Sequence, residues 1–212
     1  MRELIILVAD GTMRAVFAAF FARERWERRL CCGSFDLWPQ EDIINDTLHT
    51  DGGVHRRAHE LLRPYLNTHQ HTMVVIDQQF GGDRPAGEVR SEILDNLYRN
   101  GWAEDRCEVI VIDPELEVWL WQDNPNIAQA INYTGSSLRQ RLQDQGEWPA
   151  DAAKPLDPKA SIQALIKPQR ALKTKVVYSR IARSVSVSGC TDPAFLLFAG
   201  TLRRWFPQGD RA

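Results

Sequence analysis

The chain is expected to be an α/β protein, with a mainly parallel, Rossmann-like sheet of about four strands flanked by helices and a helical C-terminal region. Three observations predict this. Apolar runs alternate with amphipathic stretches, which is the pattern of βαβ units. Three of those runs, LIILVAD, TMVVID and EVIVID, stop on an aspartate, at Asp10, Asp77 and Asp113. Beyond residue 123 strand-like runs give way to helical periodicity, so a core over 1–123 and a helical, basic region over 124–212 packed on it are expected.

The first strand is LIILVAD. GTMRAVFAAFFARERWERRL follows, with Met13, Val16, Phe17, Phe20 and Phe21 at the spacing of an amphipathic helix. SFDLW (34–38) is read as a second strand, and VHRRAHELLRPYL (54–66) as a helix with Leu61, Leu62 and Leu66 inward. The strand HTMVVID comes next, then a turn-rich loop and a helix from Glu88 closed by Gly101, a good residue for the position after a helix end. After the strand CEVIVID, the segment DPELEVWLWQD offers Asp as N-cap, Pro at the first helical position and acids in the first turn, predicting a helix from Pro114. Residues 124–144 read as interrupted helix and 147–161, with three prolines, as a surface excursion. Helices dominate from 158, and the last opens at Asp192-Pro193 and stops at Pro207.

With 212 residues, one good-sized domain is the default. No run approaches the roughly 18 apolar residues of a membrane helix, and no export signal is read at the start, so a cytoplasmic protein that binds no membrane is expected. Cys31, Cys32, Cys107 and Cys190 lack metal-type spacing and read as reduced thiols. The net charge of −2 hides a segregation. Residues 1–153 carry 15 Arg and 25 acids, a balance of −10, whereas 154–206 carry 5 Lys and 5 Arg against 2 acids, a balance of +8. Such a basic region marks a surface for an anionic partner, nucleic acid included, or for the acidic part of the same molecule.

If the apolar runs are parallel strands, their terminal acids share the edge where open α/β sheets bind ligands. Clustered carboxylates are costly without a cation, and hard oxygen donors suit Mg2+ or Mn2+. Asp10 and Asp77 are the expected metal ligands, with Glu115 and Glu117 one turn beyond Asp113. Asp10, Asp77 and Glu117 are the expected catalytic set for phosphodiester chemistry. Lys167, Lys173, Lys175 and Arg180 are the expected phosphate or nucleic-acid contacts. Each aspartate also has a structural reading, and Asp113 before Pro114 is best explained as a helix cap that positions the two glutamates. Trp119 and Trp121 read as core, and His55, His59, His69 and His71 as packed or solvated imidazoles rather than zinc ligands.

The acid-Gly-Thr turn after the first strand, the later strand ending in Asp77 and the run Pro114-Glu115-x-Glu117-x-Trp119-Leu120 with Asp123 together resemble the Toprim-like domains of prokaryotic defence islands. Lys173, Lys175, Tyr178, Ser179, Arg180, Cys190, Asp192, Pro193 and Phe195 extend that resemblance over nearly the whole chain. The resemblance implies a Toprim-like fold and a place in a multi-gene anti-phage system of the methylation-associated kind. It also implies other defence proteins as partners, and a Mg2+- or Mn2+-dependent nuclease-like activity. Two positions depart from the Toprim pattern: Asp10 stands where that family has Glu, and Gln79 where its Asp-x-Asp has the second acid. Those departures imply a rival, a binding or scaffold subunit with a degenerate acidic site. A small phosphate-ester hydrolase is the reading independent of the resemblance.

Overall fold

The computed structural model describes residues 1–47, 52–81, 84–122, 125–135, 137–166 and 173–209. Four strands, β1 (Arg2–Val8), β2 (Ile43–Asn45), β3 (His69–Asp77) and β4 (Cys107–Ile112), form one sheet in the order β2-β1-β3-β4, and every pairing is parallel. Their side chains explain this: Leu4 to Val8, Met73 to Ile76 and Val109 to Ile112 are buried along continuous runs, as sheets covered on both faces demand.

The second strand is not SFDLW. Residues 33–39 have no regular structure, and Ile43–Asn45 pairs with Ile6–Val8 instead. Trp38 is exposed, and its backbone N–H is taken by the Asp42 carboxylate at 2.7 Å, so the apolar segment turns before it can pair.

Helices α1 (Gly11–Phe21), α2 (Trp26–Leu30), α3 (Gly52–Leu62) and α4 (Ala86–Arg99) follow the strands. Met13, Val16, Phe17 and Phe21 of α1 are buried, as their spacing requires. Helix α4 ends before Gly101, whose φ of +100° reverses the chain at low cost for a residue without Cβ. After β4 come α5 (Glu117–Leu120), α6 (Pro125–Ala130), α7 (Leu138–Asp144), α8 (Pro158–Ile166), α9 (Thr174–Ser184) and α10 (Pro193–Trp205).

Helix α9 packs along α1, and α10 packs on β4 and reaches α1 through Phe17 and Phe198, whose rings meet edge to face at 5.7 Å. Trp119 sits among Phe17, Phe195 and Phe198, with its indole N–H donated to the Asp192 carboxylate at 2.8 Å. Trp121 donates to the Pro158 carbonyl and meets the Trp148 ring edge to face, which anchors the proline-rich 147–161 segment. Both tryptophans are core residues.

Candidate functional site

The sheet changes direction between β1 and β3, because the chain leaves β1 for β2 on one side and returns to β3 on the other. Crevices at such switch points, beyond the carboxyl ends of the strands, are where open α/β sheets place ligands. Val8 pairs with Val75, so Asp10 and Asp77 emerge from adjacent strands at this position.

Asp10 is held by its own chain. One carboxylate oxygen accepts the backbone N–H groups of Thr12 and Met13, each at 2.7 Å, making Asp10 the N-cap of α1. Asp77 closes β3 and accepts the Leu116 N–H at 2.8 Å. That bond overturns two expectations. The helix of the PELEVW segment starts at Glu117, not Pro114, and Asp113 is exposed rather than its cap; the peptide between Asp113 and Pro114 is cis. The carboxylate of Asp77, from the neighbouring strand, binds the free amide at the start of this short helix. A local cap was the natural reading of Asp-Pro, but a tertiary one took its place.

Glu115 and Glu117 are both buried. Glu117 accepts the Tyr178 hydroxyl at 2.7 Å, and Glu115 is ion-paired and hydrogen-bonded to Lys159. The resemblance places Tyr178 in a motif, whereas Lys159 is one of the five lysines of the basic region and carries no motif of its own. Its role was hidden in the sequence because 44 residues separate it from Glu115.

The electrostatics follow from this crowding. Burial pushes the Asp77 carboxyl up to about 8, and the charges of Glu117, Glu115 and Asp10 push the same way, opposed by the Leu116 amide bond. Burial also raises Glu117, reinforced by Glu115, while the Tyr178 hydroxyl and Lys159 pull it down. Burial lowers the affinity of Lys159 for its proton, yet the bond to Glu115 and the charges of Glu115, Glu117 and Asp77 outweigh it, so Lys159 stays protonated above its ordinary range. Burial and the Glu117 charge likewise hold the Tyr178 hydroxyl protonated. The site is thus an acid cluster with one built-in cation.

Each carboxylate of this donor set has at least one oxygen engaged by a group of the protein itself. Among the described residues no three His, Cys, Asp or Glu side chains are grouped to hold a metal. Glu115 faces Lys159, one oxygen of Glu117 accepts a hydroxyl, and one oxygen of Asp10 caps its helix. Gln79, where the Toprim pattern has an acid, is exposed on a short 3-10 turn.

Of the expected phosphate contacts, Lys173, Lys175 and Arg180 are exposed on or beside α9, and Lys167 lies outside the described residues. The Lys175 ammonium stands over the start of α1, where a Cβ on Gly11 would lie 3.7 Å from it. Among the histidines, His69 is buried against Asp42 at 3.2 Å and His71 stacks on Trp205.

Lys159→Met tests the built-in cation. Removing one partner of a buried pair leaves the other uncompensated. Because the Lys159 side chain is 42% exposed, water softens the penalty, and a loss of about 1–3 kcal/mol is expected in urea denaturation. Without that cation the cluster binds protons more tightly, so the loss should be larger at about pH 8 than at about pH 6. An unchanged denaturation midpoint at both pH values removes Lys159 from this role.

No family model, curated protein or solved structure matches this chain, so the site is read from its own residues.

Proposed function

We propose that this chain is a binding subunit of a prokaryotic antiviral defence system of the methylation-associated kind, built on a Toprim-like acidic site that has been neutralised from within. The defence context rests on the motif resemblance. One observation supports treating the motif segments as a unit: the two halves touch, through Tyr178 on Glu117 and Asp192 on the Trp119 indole. Residues 61 and 73 positions apart in the chain meet pair by pair, so both segments serve the same structure.

The binding role rests on how the carboxylates are engaged. Phosphodiester cleavage by a metal needs several anionic oxygens turned to one point. Here Lys159 fills the electrostatic place of a metal, and a proton on Asp77 removes a further negative charge near neutral pH. A fixed ammonium neutralises charge but offers no open coordination position and no bound water to deprotonate. On this reading, Asp10 for Glu and Gln79 for Asp take donors away from such a site.

A second reading, a Mg2+- or Mn2+-dependent phosphodiesterase using Asp10, Asp77 and Glu117, draws support from the position of Asp10 and Asp77 at the switch point. The two readings separate on one experiment. The full chain is incubated with single- and double-stranded DNA and RNA in Mg2+ or Mn2+. The expected result is no metal-dependent cleavage, with complexes formed on co-expression with the products of neighbouring genes. Cleavage that disappears in both Asp10→Ala and Asp77→Ala would overturn the binding reading in favour of the enzyme.

A further inference from the structure

The junction of α1 and α9 leaves a trough whose chemistry is one-sided. Its first stretch, a cavity of about 290 Å3, has a floor of Gly11, Ala15 and Ala18, with Arg14, Lys175 and Arg183 on its walls. The second stretch, of about 1040 Å3, shares Ala19, Ala22 and Arg183 with the first, so the two are continuous. Arg23, Arg25, Arg28, Arg29 and Arg203 line it further on.

Acids are scarce along this path. Among the described residues none lines the first stretch, and Glu24 is the single carboxylate of the second, 3.8 Å from Arg25 and almost fully in water. Arg28, Arg29, Arg183 and Lys175 are exposed and make no ion pair among the described residues. Arg14 and Arg23 are fixed, but by carbonyls: Arg14 by Ile43 at 2.6 Å and Gln40 at 2.7 Å, Arg23 by Val185 at 2.8 Å and Ala182 at 3.2 Å. Carbonyl bonds orient a guanidinium without neutralising it and leave other N–H donors available. Like charges gathered in a concavity repel one another, and a face meant only for solvation would disperse them among acids.

The shape narrows the ligand. Lys175, Ser179 and Arg183 recur every four residues on one face of α9, a span of about 12 Å. A single phosphate occupies a fraction of that length, while the larger stretch alone reaches the upper end of the roughly 300–1000 Å3 typical of ligand sites. A linear anion with several phosphates in a row matches both, and small side chains on the floor let a backbone approach closely. No exposed aromatic ring lines the trough among the described residues, so phosphate contacts must dominate over base stacking.

We propose that this trough binds the sugar–phosphate backbone of single-stranded nucleic acid and leads it toward the Asp10 end of the sheet. This deepens the binding reading and rests on it for the role of the contact, while the contacts themselves are independent of whether the acids are catalytic.

The test is fluorescence anisotropy of the full chain with labelled single strands of about 12 nucleotides, DNA and RNA in separate arms, across a salt series. Two double variants, Arg28→Ala with Arg29→Ala and Lys175→Ala with Arg183→Ala, are compared with a control on another surface, Arg63→Ala with Arg99→Ala. Each trough variant is expected to weaken binding about tenfold or more and to flatten the salt dependence by about 1.4 in slope, about 0.7 per lost phosphate contact. The control should bind as the parent does, and melting curves should match for all four proteins. Absence of binding by the parent, equal loss in the control, or capture of inorganic polyphosphate with neither strand bound overturns the trough. Should strands bind there and also be cut with a metal, the trough stands and the non-catalytic reading falls; should nothing bind yet gene-neighbour complexes form, the reverse holds.

Discussion

Trp119→Ala is expected to cost about 3–5 kcal/mol of stability, enough to unfold a marginally stable chain. The Trp119 ring is buried and meets Phe17 at 6.2 Å, Phe195 at 5.3 Å and Phe198 at 5.6 Å, so its removal opens a cavity among α1, α5 and α10 at once. It also strips the Asp192 carboxylate of the indole donor while that carboxylate still caps α10 through the Phe195 amide at 3.0 Å. Trp119→Phe separates the two contributions. It keeps an aromatic ring in the cluster and loses the hydrogen bond, and about 1–2 kcal/mol is expected. Urea denaturation followed by circular dichroism measures both. A cost below about 1 kcal/mol for the alanine variant would mean that this cluster does not join the C-terminal helices to the sheet.

Asp77→Asn is expected to stabilise the protein at alkaline pH by a few kcal/mol and to flatten its pH profile. In the folded chain the Asp77 carboxyl is raised from 3.8 to about 8, first by burial and then by Glu117. A group whose folded pKa is raised contributes stability that is complete below its unfolded value and is lost as pH rises through the folded value. For Asp77 the loss runs from about pH 4 and is complete a little above pH 8. Asparagine carries no charge at any of these pH values, and its side-chain oxygen can still accept the Leu116 amide. Thermal melts between about pH 6 and about pH 9 should show the parent losing midpoint temperature and the variant holding it. Parallel profiles for the two proteins would falsify the assignment of a half-buried, protonated carboxyl at this position.

The same carboxyl illustrates how far local reading reaches. That Asp77 ends a strand beside Asp10 is legible in TMVVID and LIILVAD, because a buried parallel strand needs only a short continuous apolar run and a turn to stop it. That it caps the segment containing Glu117 is not legible, since Asp-Pro at 113–114 offered a local cap and nothing nearby in sequence signals the distant one. SFDLW failed for a related reason. Short apolar runs carry no record of whether a neighbouring carboxylate, here Asp42, will claim their amides.

By itself the sequence determined the parallel α/β sheet, the positions of β1, β3 and β4, the helical C-terminal region and the presence of acids at the strand ends. Those features arise from periodicity and turn chemistry within a few residues of each other. Only the tertiary structure decided what the acids face. Lys159 neutralises Glu115, Tyr178 binds Glu117, and arginines from α1, α2, α9 and α10 gather along one trough. The physical reason is distance along the chain. Charge pairing and burial depend on side chains that packing brings together from 44 and 61 residues apart, and no local pattern encodes which partner arrives.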